Sequence, residues 1–166
     1  LEMAAAYAMI ANDGEYIEPT FYTKVEDRNG NVVLEPEQER KQVMTEQNAY
    51  VLQSILTAPV TESYGTATYC AISGMDVAAK TGTTNESKDR WLCGFTPYYT
   101  AATWYGYDEN KEINFSGRNP AGQIWDAIMT SINKDLESAR FEEPSGIVTK
   151  KICRDTGLLA SSKCSD

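Results

Sequence analysis

Between Val77 and Tyr107 three segments of strand composition follow one another with only hairpin-length links between them. Val77 to Thr84 leads through Asn85 to Asp89 into Trp91 to Thr96, and Pro97-Tyr98 leads on into Tyr99 to Tyr107. Parallel strands need a long crossover, so links this short make each strand the antiparallel neighbour of the one before. The three therefore form a meander with the Val77 strand at one side, where its end can border a cleft. The other segments supply helices to cover it. Leu1 to Asn12 is rich in Ala and Met and stops at Asp13-Gly14. Thr45 is placed to cap a helix over Glu46 to Leu56, with Ala49, Leu52, Ile55 and Leu56 on one stripe. After Pro120, residues Ile124, Trp125, Ile128, Met129, Ile132 and Leu136 repeat with helical period and predict a last helix lying across the sheet. The expected fold class is α+β, an antiparallel sheet covered by helices.

The remaining stretches are connections. Tyr16-Ile17 and Phe21 to Val25 have strand composition, and Asp27-Arg28-Asn29-Gly30 turns the chain into Asn31 to Leu34. This hairpin reads as an excursion packed against the domain. Glu35 to Lys41 is a charged stretch, and Thr57 to Asp76, with Pro59, Gly65 and Gly74, is irregular.

Composition bounds the function. A chain of 166 residues allows one domain or a large piece of one, and 42% hydrophobic residues suffice for a core. Net charge is −9 with no histidine, which argues against a nucleic-acid surface and excludes catalysis or metal binding through His. There is no apolar run of membrane-spanning length and no signal peptide. A chain that opens at Leu1 inside a helical pattern reads as cut from something longer.

The Val77 strand ends in chemistry. Lys80 brings an ammonium, Thr81 and Thr83 lie two apart and so share a strand face, and Gly82 leaves the backbone open to close approach. An ammonium and hydroxyls bind a carboxylate, while a free main-chain N–H stabilises an oxyanion.

Lys80-Thr81-Gly82 matches the Lys-Thr-Gly box of penicillin-binding proteins and serine β-lactamases. Its surroundings match as well: Thr83-Thr84, Asp89-Arg90-Trp91, Gly94-Phe95-Thr96-Pro97 and Trp104-Tyr105-Gly106-Tyr107-Asp108. So do the opening Leu1 to Ala8, Asn12-Asp13-Gly14 and Tyr16-Ile17-Glu18-Pro19. From Leu1 to about Leu136 the chain resembles the end of the transpeptidase domain of class A (bifunctional) penicillin-binding proteins. The resemblance implies residues 1–142 as the C-terminal part of that domain, and 143–166 as a C-terminal extension.

The family acylates a serine in a Ser-x-x-Lys motif and uses a Ser-x-Asn motif, both expected before the part resembling Leu1. Ser131-Ile132-Asn133-Lys134 satisfies both patterns formally, but it follows the Lys-Thr-Gly box inside a helical pattern, the reverse of the family order. It reads as a solvated helix surface. In the scheme the resemblance implies, Lys80 contributes positive potential and the backbone N–H of Thr83 forms half of the oxyanion hole. Thr81, Gly82, Thr83 and Thr84 form the substrate-binding strand, with the Thr81 and Thr83 hydroxyls on the terminal carboxylate of a stem peptide or a β-lactam. Implied partners are peptidoglycan stem peptides, β-lactam antibiotics and the remainder of the transpeptidase domain, on the extracytoplasmic face of a bacterial membrane. The anchor would lie outside this chain, and a glycosyltransferase domain would precede it. This fragment alone is expected to be inactive. Other readings are a non-catalytic cell-wall binding module, or part of a D,D-carboxypeptidase or serine β-lactamase, and none of these implies a metal or an organic cofactor. Tyr64-Gly65-Thr66-Ala67 resembles a family Gly-Thr-Gly/Ala element and is assigned no catalytic role.

Cys153 and Cys164 flank a polar, turn-capable loop whose spacing fits no common zinc pattern. A disulfide there would contribute about 2–3 kcal/mol, and the resemblance favours it because the family carries a similar Cys-containing segment outside the cell. Cys70 and Cys93 sit in hydrophobic surroundings and read as small buried residues, with a bond between them left open.

Overall fold

The computed structural model describes residues 1–153 and 156–161. Its centre is the expected meander: β5 (Ala78–Thr83), β6 (Asp89–Phe95) and β7 (Thr100–Gly106), antiparallel in the order β5-β6-β7. The hairpin between β6 and β7 is tied at its base, where the Thr96 hydroxyl accepts from the amides of Tyr98 and Tyr99. Alternation along the strands divides the core in two. Ala79 and Leu92 face Trp125 and Met129, while Ala78 and Phe95 face Ile10 and Tyr7.

Three helices cover this sheet. α1 (Glu2–Ala11) lies on the Phe95 face and α3 (Pro120–Asn133) on the Leu92 face. α2 (Glu46–Thr61) runs beside β5 and feeds both clusters, through Leu52 and Leu56 on one side and Val60 on the other. Thr45 caps α2 by accepting from the Asn48 amide, as its position predicts. The turn that closes α1 reaches Gly14, whose φ of +85° suits glycine and whose amide closes back on the Met9 carbonyl. A Cβ there would also collide with the Met44 carbonyl.

That close approach explains a strand the sequence reading missed. Gly14 accepts from the Val43 amide at 2.9 Å, and β4 (Arg40–Gln42) pairs antiparallel with β1 (Glu15–Ile17). Arg40-Lys41-Gln42 has no strand composition; tertiary pairing overrides it. The Asp27 to Gly30 turn forms and joins β2 (Val25–Glu26) to β3 (Val32–Leu34), but two expectations need correcting. Phe21 to Lys24 is not strand, and both strands of this hairpin are exposed along their length instead of packing on the domain.

The helices correct the sequence in phase and length. α2 continues past Leu56 through Pro59 to Thr61, so the stretch after Thr57 is not all irregular. Ile55, placed on its buried stripe, is 61% exposed, while Gln53 is buried and donates to the Ile10 carbonyl at 2.8 Å. In α3 the buried stripe is Ala121, Gly122, Trp125, Met129 and Asn133, and Ile124, Ile128 and Ile132 are exposed. After α3 the chain returns beside the entry to β5: Met75 bridges Ala139, and the Asp76 carboxylate takes hydrogen bonds from Arg140 and the Phe141 amide.

Candidate active-site strand

β5 has two different halves. Ala78 and Ala79 have no exposed surface, whereas Lys80 to Thr83 emerge at the sheet edge. Across the ladder Lys80 faces Cys93, Thr81 faces Leu92, Gly82 faces Trp91 and Thr83 faces Arg90. Thr81 and Thr83 therefore share one face, and Lys80 and Gly82 the other. The ammonium still reaches Thr81: Lys80 Nζ donates to the Thr81 carbonyl at 2.9 Å and lies 3.5 Å from Thr81 Oγ1.

The same register fixes the backbone. The Thr84 amide donates to the Asp89 carbonyl at 3.3 Å, which makes Thr84 and Asp89 a hydrogen-bonded pair. Such pairs alternate with non-hydrogen-bonded ones, so Thr83 and Arg90 are of the second kind. The N–H of Thr83 thus points away from β6, out of the open edge. Thr81 is of the same kind, and its carbonyl is the one that Lys80 reaches from outside.

Each hydroxyl on this edge has a protein partner. Thr81 Oγ1 is hydrogen-bonded to Thr66 Oγ1 at 2.9 Å. Thr83 Oγ1 accepts from Arg90 Nη1 at 2.9 Å, and the Arg90 guanidinium lies over the Phe115 ring. Thr84 Oγ1 donates to Asp89 Oδ2 at 2.9 Å, and Trp104 Nε1 donates to Asp89 Oδ1 at 2.8 Å. Asp89 thereby clamps the end of β5 to β7. Beyond it Glu86 and Ser87 adopt positive φ, and the Lys88 ammonium beside Glu86 holds that carboxyl below its usual range. Toward the opposite face Met3, Tyr7, Lys80, Gly82, Trp91 and Cys93, with Thr81 at the border, line a mainly apolar cavity of about 370 Å³. Burial raises the Cys93 thiol, and burial followed by the neighbouring Cys93 raises the Tyr7 hydroxyl.

Thr66 is the neighbour the sequence reading passed over. It comes to β5 because the chain folds back on the end of α2, where the Ala67 amide caps the Pro59 carbonyl at 2.9 Å and Gly65 admits no Cβ. Ser131 is exposed on α3, and Lys134 is exposed beside Asp135. Asn133 departs from the solvated surface expected there: it is buried and accepts from the Thr96 hydroxyl at 3.0 Å. Among the described residues no cluster of acidic or sulfur ligands is arranged to hold a metal ion. Cys70 and Cys93 are buried free thiols, not bonded to each other. The expected Cys153–Cys164 disulfide involves Cys164, which lies outside the described residues.

This edge strand sits within a stretch that matches a family model. Residues 1–130 match the penicillin-binding protein transpeptidase domain. The chain belongs to that family. Penicillin-binding protein 1A of Clostridium botulinum (strain Langeland) is 38% identical over 159 residues, covering 96% of this chain and 19% of the relative. Penicillin-binding protein 2D of Bacillus subtilis is 34% identical over 173 residues, covering 99% of this chain and 24% of the relative. The chain thus spans about a fifth of the length of the curated penicillin-binding proteins it matches. Among solved structures, penicillin-binding protein 1A from Haemophilus influenzae aligns over 99% of this chain and 30% of its own, with a TM-score of 0.80 at 24% identity, a likeness of fold. Penicillin-binding protein PonA1 from Mycobacterium tuberculosis aligns over 99% of this chain and 44% of its own, with a TM-score of 0.74 at 26% identity. The α+β architecture with its antiparallel sheets is that of the penicillin-binding transpeptidase domains.

Proposed function

We propose that the intact protein is a serine-type D,D-transpeptidase that cross-links peptidoglycan stem peptides, and that this chain supplies its Lys-Thr-Gly strand. Residues 1–142 form the C-terminal part of the transpeptidase domain and 143–166 an extension beyond it. What carries the reading is the open edge of β5, where an outward amide, two hydroxyls on one face and an ammonium meet.

In this scheme a serine outside this chain attacks the D-Ala–D-Ala amide. The Thr83 N–H stabilises the oxyanion, terminal D-Ala leaves with a proton, and an ester to serine remains. An amine of a neighbouring stem then attacks the ester, and the serine recovers its proton. Lys80 supplies positive potential throughout, and Thr81 and Thr83 bind the terminal carboxylate while Gly82 and Thr84 complete the strand. A β-lactam follows the first step and stops at the ester. Peptidoglycan and β-lactams are therefore the ligands, and the outer face of a bacterial membrane is the location. A segment outside this chain is the anchor; among the described residues no helix is long and apolar enough to cross a membrane.

Labelling with a fluorescent penicillin tests the proposal. The intact protein takes covalent label and the 166-residue chain does not. Lys80→Ala in the intact protein slows labelling on the order of 10²-fold, the scale of losing one electrostatic stabiliser of the transition state. Label on the isolated chain would place the nucleophile within it, and an unlabelled intact protein would leave a cell-wall binding module.

A further inference from the structure

Arg90 stands across the ladder from Thr83, so the two side chains share the face that carries the hydroxyls. Its Nη1–H donates to Thr83 Oγ1 at 2.9 Å, and its guanidinium is stacked 4.7 Å from the centroid of the Phe115 ring. Arginine has donors and no acceptor, so the direction of that bond is fixed. Thr83 accepts, and its own proton is turned toward another acceptor. A hydroxyl held in this way is a ready donor to an anion arriving at the strand edge.

Two observations separate Arg90 from a residue that only packs. Among the described residues no carboxylate forms an ion pair with it. The adjacent Asp89 is instead hydrogen-bonded by Thr84 and Trp104 and makes no ion pair with Arg90. Its Nε is also buried without a hydrogen-bond partner. An unmet buried donor is destabilising, so stability alone is a poor reason to hold the guanidinium here.

We propose that Arg90 is a positioning and specificity-determining residue for carboxylate recognition at β5. It commits the Thr83 hydroxyl to donation and places a positive charge engaged in no ion pair behind it, so that the site takes acids and discriminates against their neutral esters. This deepens the proposed transpeptidase reading and rests on it.

The test uses the intact protein, with benzylpenicillin and its methyl ester as ligands and the acyl-enzyme followed in time by mass spectrometry. Arg90→Ala lowers the acylation rate constant for the acid on the order of tenfold, the scale of one hydrogen bond to a charged group, and leaves that for the ester within about twofold. Arg90→Lys keeps the charge without the planar fork and restores part of the acid-to-ester ratio. An equal fall for both ligands would make Arg90 structural and overturn the proposal, as would no fall for either. No acyl-enzyme on the unaltered protein would overturn the transpeptidase reading itself, an outcome told apart because no variant is involved.

Discussion

Thr96→Val should unfold the domain at lower temperature without touching its chemistry. The Thr96 side chain is nearly isosteric with valine, is 1% exposed, and its hydroxyl makes three bonds. It donates to Asn133 Oδ1 at 3.0 Å and accepts from the Tyr98 and Tyr99 amides at 3.2 Å each. Valine leaves the Asn133 oxygen in the core with no donor, at about 1–3 kcal/mol, and weakens two half-buried amides by about 0.5–1 kcal/mol each. The sum is about 3 kcal/mol, and at roughly 2–4 °C per kcal/mol for a domain of this size the midpoint falls by about 6–12 °C. Calorimetry of the intact protein reads this in the transition that penicillin shifts if the proposed function holds. The pair also predicts its own rescue: with Asn133→Leu added, both polar partners are gone and the double variant loses less than the sum, by about 1–2 kcal/mol. A shift below about 1 °C, or strict additivity, would refute the reasoning.

Two further outcomes follow from the rest of the chain. Ser131→Ala in the intact protein leaves penicillin acylation unchanged, because Ser131 stands exposed on α3 away from β5; a large loss in the labelling rate would make it the nucleophile. Thiol counting under unfolding, non-reducing conditions finds Cys70 and Cys93 reactive and Cys153 and Cys164 oxidised, and four reactive thiols would remove the disulfide. In the folded protein Cys70 resists alkylation at about pH 8, because burial, then the nearby Asp126 charge, pushes its thiol up to about 12 and the reactive thiolate does not form. Raised in the folded state, this group favours folding below its ordinary value of 9.0, and that contribution is lost as pH climbs toward the folded value.

The meander was legible because hairpin-length links leave no topological choice, and β5, β6 and β7 appear within a residue or two of the segments read from composition. The phase of α3 was not. Ile124, Ile128 and Ile132 lie one position ahead of Trp125, Met129 and Asn133, and both rows repeat every four residues. Hydrophobicity favours the isoleucines; volume and a hydrogen bond to Thr96 favour the row that is buried. β4 was hidden for the opposite reason, since Arg40-Lys41-Gln42 pairs through its backbone and its side chains carry no strand signal. At the site, the face shared by Thr81 and Thr83 follows from strand period alone. Thr66 required the fold, because the sequence does not say that the chain after α2 doubles back to Thr81. Arg90 lay between the two cases: counting across the short β5–β6 link reaches it, but only the register turns it toward Thr83.

The inner half of β5 has a consequence for how such a site can vary. Ala78 and Ala79 have no exposed surface, and a methyl group on Gly94 would come within 2.7 Å of the Ala78 carbonyl and 2.8 Å of the Ala79 Cβ. The strand is a beam buried tightly at its root and pinned by side-chain hydrogen bonds at the tip that carries the hydroxyls. One added methylene at the root must tilt the beam, since close-packed interiors transmit displacement instead of absorbing it. If the edge of β5 binds the carboxylate as proposed, affinity there can drift through substitutions at Ala78, Ala79 or Gly94 that never meet the ligand.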